Sequence, residues 1–190
     1  STNVFVEGVS GSEAALLDRL TALIGRCNGK VAVACFASHV ARLKTIFQAA
    51  SANGRAVALV GRSLWRINAA ARETGYLTDL PEFLEPEKMA AMDDSEILYI
   101  CTGSQGEPRA ALTRIAADDH RSVKLGEGDT VIFSSRIIPG NELAIGRLHN
   151  SLIRQGADVI SENDEDIHVS GHPARGELTE MYQLVRPQIL

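Results

Sequence analysis

No stretch of this sequence strings together the ~20 apolar residues that a membrane-spanning helix needs, so nothing in it is expected to cross a bilayer. The opening residues, S-T-N-V-F-V-E-G, show neither a basic n-region nor an apolar h-region, and no secretory signal is visible. Cysteine is scarce. The three present, Cys27, Cys35 and Cys101, are an odd number that suits free thiols in a reducing compartment such as the cytoplasm better than a disulfide framework. H-E-x-x-H and C-x-x-C are both missing, so the chain is expected to bind no metal by itself. A basic excess is missing as well: 19 Lys and Arg stand against 24 Asp and Glu, a net charge of −5. That balance argues against a protein that grips nucleic acid by bulk charge alone. Low-complexity tracts, internal repeats and inter-domain linkers are absent too.

What is present is an ordinary globular composition, 45% hydrophobic and 23% charged, in 190 residues. That excludes a disordered or collagen-like chain and suits one domain with a single buried core. Two periodicities alternate along it. Residues 13–24 place Leu16, Leu17, Leu20, Leu23 and Ile24 on one helical stripe, with Ser12 as the expected N-cap and Asn28-Gly29 as a stop. The run V-A-V-A-C-F (31–36) reads as a strand buried on both faces. Helix, strand and helix follow at 38–52, 56–60 and 64–74, and a Pro-rich loop with a short helix near 87–91 comes next. Strands at 97–102, 130–134 and 158–161 are separated by helices at 110–117 and 141–155, and a last helix covers 177–185. Strands joined by helical crossovers predict an α/β fold, a mostly parallel β-sheet with helices on both faces.

Such sheets bind ligands where the carboxyl ends of the strands open into loops. Here those loops are A-S-H-V-A-R, G-R-S, G-S-Q-G-E-P-R, S-R-I-I-P-G-N-E, and an acidic stretch leading into H-V-S-G-H. Glycine and serine turns expose backbone N–H groups to anions, and arginine supplies a planar fork for phosphate. G-S-Q-G-E-P (103–108) has two readings: a phosphate cradle, or a tight turn that uses glycine for positive φ with Pro108 starting the next helix. It fits neither nucleotide-binding glycine signature. His168 and His172 bracket Ser170-Gly171 and could act as general acid or base, as a metal pair, or as structural histidines. Glu162, Asp164, Glu165 and Asp166 read as a solvated loop, His120 and His149 carry no constellation, and Trp65 reads as core or rim packing, with base stacking as the weaker alternative.

Taken together, S-S-R-I-I-P-G-N-E (134–142) followed by H-V-S-G-H-P (168–173) resembles one family, the bacterial ribonuclease J enzymes. These are metallo-β-lactamase-fold nucleases of the β-CASP group. Other pieces agree in order and spacing: S-T-N resembles the family's D-S-T-N, F-A-S-H-V-A-R its F-A-S-N-type segment, and G-R-S and Y-I-C-T-G-S-Q-G-E-P their counterparts. The resemblance covers almost the whole chain and implies a Rossmann-like β-CASP domain over 1–190. That domain would be excised from between the two parts of a metallo-β-lactamase domain absent here. The family's H-x-H-x-D-H motif lies upstream of the matching region and its last metal-ligand histidine lies downstream. Two zinc ions, with ligands outside this chain, are therefore implied for the intact enzyme, and none for this piece.

By the same resemblance, His172 matches the family's motif B histidine, which helps protonate the leaving oxygen. His168, Val169, Ser170, Gly171 and His172 match the segment that holds RNA phosphates. Ser134 and Ser135 would line the terminal-phosphate pocket, and Ser38, His39 and Val40 match an RNA-contacting turn in which many members carry Asn at the position of His39. The implied activity is zinc-dependent RNA hydrolysis, 5′→3′ exonucleolytic with endonucleolytic cleavage, in mRNA decay and rRNA maturation. The implied partners are RNA with a 5′-monophosphate end, the metallo-β-lactamase domain of the same polypeptide and, for the full-length enzyme, further copies of itself. The domain alone is expected to be inactive. Two readings compete with it: a stand-alone α/β domain binding a phosphorylated small molecule, and a module for protein partners.

Overall fold

The computed structural model describes residues 3–189; the Ser1-Thr2 part of the S-T-N match lies outside them. Among the described residues, five strands form one parallel sheet: β1 (Val31–Ala34), β2 (Ala56–Val60), β3 (Ile97–Cys101), β4 (Thr130–Phe133) and β5 (Asp158–Ile160). Their spatial order is β2-β3-β1-β4-β5. Six α-helices accompany them: α1 (Glu13–Ile24), α2 (Val40–Ala52), α3 (Arg62–Glu73), α4 (Ala111–Ala116), α5 (Glu142–Arg154) and α6 (Arg175–Val185). This is the α/β architecture that the alternating periodicities predict.

The two faces of the sheet carry different side-chain sizes. Val31, Val33, Val57, Leu59, Leu98 and Ile100 pack with Leu16, Leu20, Leu43, Ile46 and Leu64 of α1, α2 and α3. The opposite face presents Ala32, Ala34 and Ala58 beside Tyr99 and Phe133, against Leu112 and Ile115 of α4 and Leu148 and Leu152 of α5. Period-2 alternation within each apolar run thus sends successive residues to opposite layers, with branched aliphatics on one face and a mix of alanines and aromatics on the other.

Local signals place most boundaries within two residues. Ser12 caps α1, its hydroxyl accepting from Ala15 N at 3.3 Å. α2 begins at Val40 and not at Ser38 because His39 takes the N-cap position, its Nδ1 accepting from Arg42 N at 3.0 Å. The short helix expected near 87–91 is a 3-10 turn at Pro86–Met89. Strands β1, β3, β4 and β5 stop one or two residues earlier than their apolar runs, since pairing ends where the chain turns into the loops. Pro108 precedes α4 by three residues instead of opening it.

The described amino end and α6 clasp each other. Arg175 N donates to Val6 O and Gly176 N to Gly8 O, both at 2.9 Å, and a Cβ on Gly176 would meet Gly8 O at 2.5 Å. Only glycine permits that approach. Glu177 accepts from Ser10 Oγ at 2.6 Å and from Ala174 N at 2.8 Å, which holds its carboxyl below the usual range. No helix among the described residues is long and apolar enough to cross a membrane.

Candidate functional site

The strand order dictates where a crevice opens. β1 leads through α2 toward β2 on one side, whereas β4 leads through α5 toward β5 on the other. The carboxyl ends of β1 and β4 are adjacent and their loops diverge, the topological switch point at which sheets of this kind bind ligands. Loops 35–39 and 134–141 flank that crevice.

Arg42, in the first turn of α2, organises it. Its side chain is only 1% exposed, so its charge must be compensated within the protein. Nε and Nη2 donate to the two Glu13 oxygens at 3.0 and 2.6 Å, a bidentate pair with the first residue of α1. Nη1 donates to both the carbonyl and the hydroxyl of Ser134 at 2.8 Å. His168 Nδ1 lies 3.5 Å from the same Nη1. Ser134 Oγ in turn donates to Ile167 O at 2.6 Å, tying the loop after β5 to the end of β4. Burial would raise the Glu13 pKa, but the hydrogen bonds and charge of Arg42, helped by His39, hold it below the usual carboxylate range. Burial, and then the Arg42 cation, push His168 down, so its imidazole is neutral near pH 7.

The residues expected from the sequence are distributed around this hub. Ser38 is exposed, while His39 and Val40 are half-buried, and His39 Nε2 lies 3.5 Å from Glu13 Oε1. Ser134 and Ser135 are both buried, and the Ser134 hydroxyl spends its donor and an acceptor inside the protein. Ser135 instead lines a cavity of about 150 Å³ with Ser104, Ser161 and His149. Val169 packs against the core below the exposed Gly171 and His172, with Ser170 half-buried between them. His172 is anchored through its backbone: its carbonyl accepts from Asn3 Nδ2 at 2.8 Å and Ser10 Oγ at 3.0 Å, and its N–H donates to Ser170 Oγ at 3.2 Å. Asn3 Oδ1 accepts from Arg136 at 2.8 Å, which connects the His172 turn to the loop after β4. The structure therefore brings the three segments 38–40, 134–135 and 168–172 to one end of the sheet.

Three organising residues were not singled out in the sequence. Arg42 had a signal: it occupies the same helical stripe as Ile46, Ala49 and Ala50, so a charge stands where α2 buries apolar residues. Glu13, its partner, looks like any first-turn acid. Gln105 is the third, buried within G-S-Q-G. Its amide donates to Arg136 O at 3.0 Å and accepts from Ile138 N at 2.9 Å and Asn141 Nδ2 at 3.2 Å. With Gly103 and Gly106 at φ +113° and +71°, this segment is a tight turn whose glutamine braces the neighbouring loop.

The acidic loop is tethered more than a solvated run requires. Glu162 pairs with Arg136, Glu165 with Arg26 and Asp166 with Arg19, at 3.3, 2.6 and 2.9 Å. Such exposed pairs stabilise by about 0–1 kcal/mol each, so they orient the loop without locking it. His149 packs against Phe133 with ring centroids 4.2 Å apart and the planes tilted by 56°, and burial lowers its pKa. Trp65 packs at the edge of the core, its Nε1 donating to Leu59 O at 3.2 Å. Cys27, Cys35 and Cys101 are free thiols, and burial pushes Cys35 up to about 12. No group of three or more His, Cys, Asp or Glu among the described residues could hold a metal ion. The described residues do not fit a zinc site of their own.

Comparison with known proteins gives a consistent result. Residues 28–152 match the family described as "Ribonuclease J, beta-CASP domain". Ribonuclease J of Sinorhizobium meliloti is 45% identical over 190 residues, all of this chain and 34% of the relative. Ribonuclease J of Mycolicibacterium smegmatis is 45% identical over 99% of the chain and 34% of its own length. That of Thermus thermophilus is 38% identical over 99% and 33%. The chain thus spans about a third of the length of the curated relatives it matches.

Proposed function

The chain belongs to the ribonuclease J β-CASP domain family, and from that premise we propose that it is the RNA-binding domain of a longer, cytoplasmic, zinc-dependent ribonuclease. In this reading the intact enzyme degrades RNA 5′→3′ and cleaves internally, in mRNA decay and rRNA maturation. The zinc is held by residues beyond this chain, on a metallo-β-lactamase domain of the same polypeptide. This domain covers that centre, receives the 5′-monophosphate end and hydrolyses no RNA by itself, with or without added zinc. The full-length enzyme assembles from more than one copy.

The observation that carries the reading is the convergence of segments 38–40, 134–135 and 168–172 at the β1/β4 switch point, fastened together by Arg42. Because Arg42, Glu13 and Ser134 satisfy one another, they serve as the scaffold. The groups at its rim are the exposed Ser38, Gly171 and His172, with the half-buried His168 imidazole beside Arg42. Hydroxyls, imidazoles and turn N–H groups suit a single phosphate oxygen each, whereas a triphosphate end would bring more charge than these few donors match. His172, exposed on an anchored backbone, is placed to hold a proton for the departing oxygen.

Titration of the chain with uridine 5′-monophosphate, followed by amide NMR shifts, tests the assignment. Shifts are expected at 38–40, 134–135 and 168–172. Shifts confined to other segments, or none at millimolar ligand, would overturn it.

A further inference from the structure

A larger concavity lies on the same edge of the sheet, at the carboxyl ends of β2 and β3. It is a cleft of about 970 Å³ whose walls include Arg62, Trp65 and Arg66 of α3, Arg109 before α4, Arg114 within it, and Arg121 beyond. Two of these arginines are engaged: Arg114 pairs with Asp119 at 3.2 Å, and Arg121 with Glu87 at 2.9 Å. Arg62, Arg66 and Arg109 are exposed and form no ion pair or side-chain hydrogen bond among the described residues. Of the carboxylates lining the cleft, Glu87 also accepts from Ser122, which with Arg121 pulls it down to about 2, and Glu107 accepts the backbone N–H of Gln105 at 3.0 Å. Glu85 is the third. The cleft therefore presents three guanidinium groups whose donors no group among the described residues uses.

We propose that this cleft is a second phosphate-binding groove, one that takes the backbone of single-stranded RNA downstream of the end held at the β1/β4 crevice. Guanidinium forks with open donors match phosphate oxygens in geometry as well as charge. The volume lies within the roughly 300–1,000 Å³ of ligand pockets and admits a nucleotide, and open guanidinium groups on two separate segments, α3 and the stretch before α4, suit successive phosphates of a strand better than one small molecule. Trp65 adds ring surface: half-buried against the core, with its N–H bound to Leu59 O, it lines the cleft, and indole surface is what single-stranded bases stack on. The two sites lie on one edge about two strand spacings, or roughly 10 Å, apart. An acidic chain can hold RNA in this way because three of its open guanidinium groups line one cleft.

The proposal rests on the reading that the ligand is RNA, and the experiment separates the two. Trp65 is the only tryptophan and reports on the cleft alone. The chain and its R62Q/R66Q/R109Q variant are titrated with a 5′-phosphorylated uridine 12-mer, the 5′-phosphorylated dinucleotide and uridine monophosphate. Anisotropy of the labelled oligonucleotides is read beside Trp65 emission. The 12-mer is expected to change Trp65 emission and the dinucleotide to leave it unchanged. The triple variant should bind the 12-mer at least tenfold more weakly, and its slope of log affinity against log salt should be shallower by about 2, since each lost contact to a single strand removes ~0.7. Its affinity for the dinucleotide should be unchanged. R62Q alone should remove about a third of that slope change.

Normal 12-mer binding with no Trp65 response, and with the same salt slope in the variant, overturns the groove and leaves the first site standing. An equal Trp65 response to uridine monophosphate overturns the RNA strand as occupant in favour of a free nucleotide. Failure of the unsubstituted chain to bind either oligonucleotide overturns the RNA reading and the groove with it.

Discussion

Arg42 and Arg62 both stand in the first turn of a helix that follows a strand of the same sheet, α2 after β1 and α3 after β2. Their surroundings are opposite. Arg42 is buried and divides its donors among Glu13 and Ser134, with His168 alongside. Arg62 is exposed, and the side chains of Arg62, Arg66 and Arg109 form no ion pair or hydrogen bond among the described residues. One crevice is built on a saturated arginine and can only present what that arginine positions; the other cleft presents its arginines directly. A buried, fully paired cation shapes a site, whereas an exposed, unpaired one meets the ligand.

Function gives the widest separation. In the full-length enzyme, His172→Ala should lower turnover by about 10²–10⁴-fold, the usual yield of a positioned proton donor, with RNA affinity nearly unchanged. Its imidazole is exposed, so the same substitution should leave the urea midpoint where it was. Equal losses of turnover and affinity would make His172 a binding group instead.

Arg42→Ala should do the reverse and act on stability. It strands a half-buried Glu13 carboxylate and strips the Ser134 carbonyl of its donor, and loss of one partner from such a pair costs about 3–5 kcal/mol. Arg62→Ala should stay within ~0.5 kcal/mol, as surface substitutions without partners do. Urea unfolding of both variants checks the contrast; comparable midpoints for the two would erase it.

The smallest effect expected is a dependence on pH. His120, His149 and His168 all have folded pKa values lowered, chiefly by burial. As pH falls through about 6.5 the unfolded chain takes up protons that the folded chain refuses, so stability declines from there down to the folded values. Glu13 is also lowered in the folded state, so it contributes stability above about 4.3 that is lost as pH falls through its folded value. The urea midpoint should therefore drop in two stages, one below neutrality and one in acid. Arg42→Ala should remove the Glu13 part of the second stage, and Arg62→Ala should change neither.

Most of the architecture was legible from the chain. The runs at 31–36, 56–60, 97–102 and 130–134 are short, continuous and apolar because strands buried on both faces admit nothing else, and helical stripes between them force parallel crossovers. The loops after the strands were legible for the same reason: once the strands are known, so is the edge at which their carboxyl ends open into loops. The division of labour within those loops was not. Ser134 and Ser135 are adjacent and identical in type, yet one is consumed by Arg42 and Ile167 and the other lines a small cavity with His149. G-S-Q-G-E-P could be a cradle or a turn until Gln105 is seen bonded to Arg136, Ile138 and Asn141, some 30 residues away.

The sequence by itself determined the fold class, the element order, the family resemblance and the end of the sheet at which the candidate loops gather. All of these follow from local periodicity and from motifs within single segments. Only the tertiary structure decided which charged groups neutralise one another, because Glu13, Arg42, Ser134 and His168 lie on four separate segments that meet through the strand order β2-β3-β1-β4-β5. A net charge of −5 is a sum over the whole surface. Whether a given arginine remains free to hold a phosphate depends on what folding places within 3 Å of it, and that is a property of the packed chain.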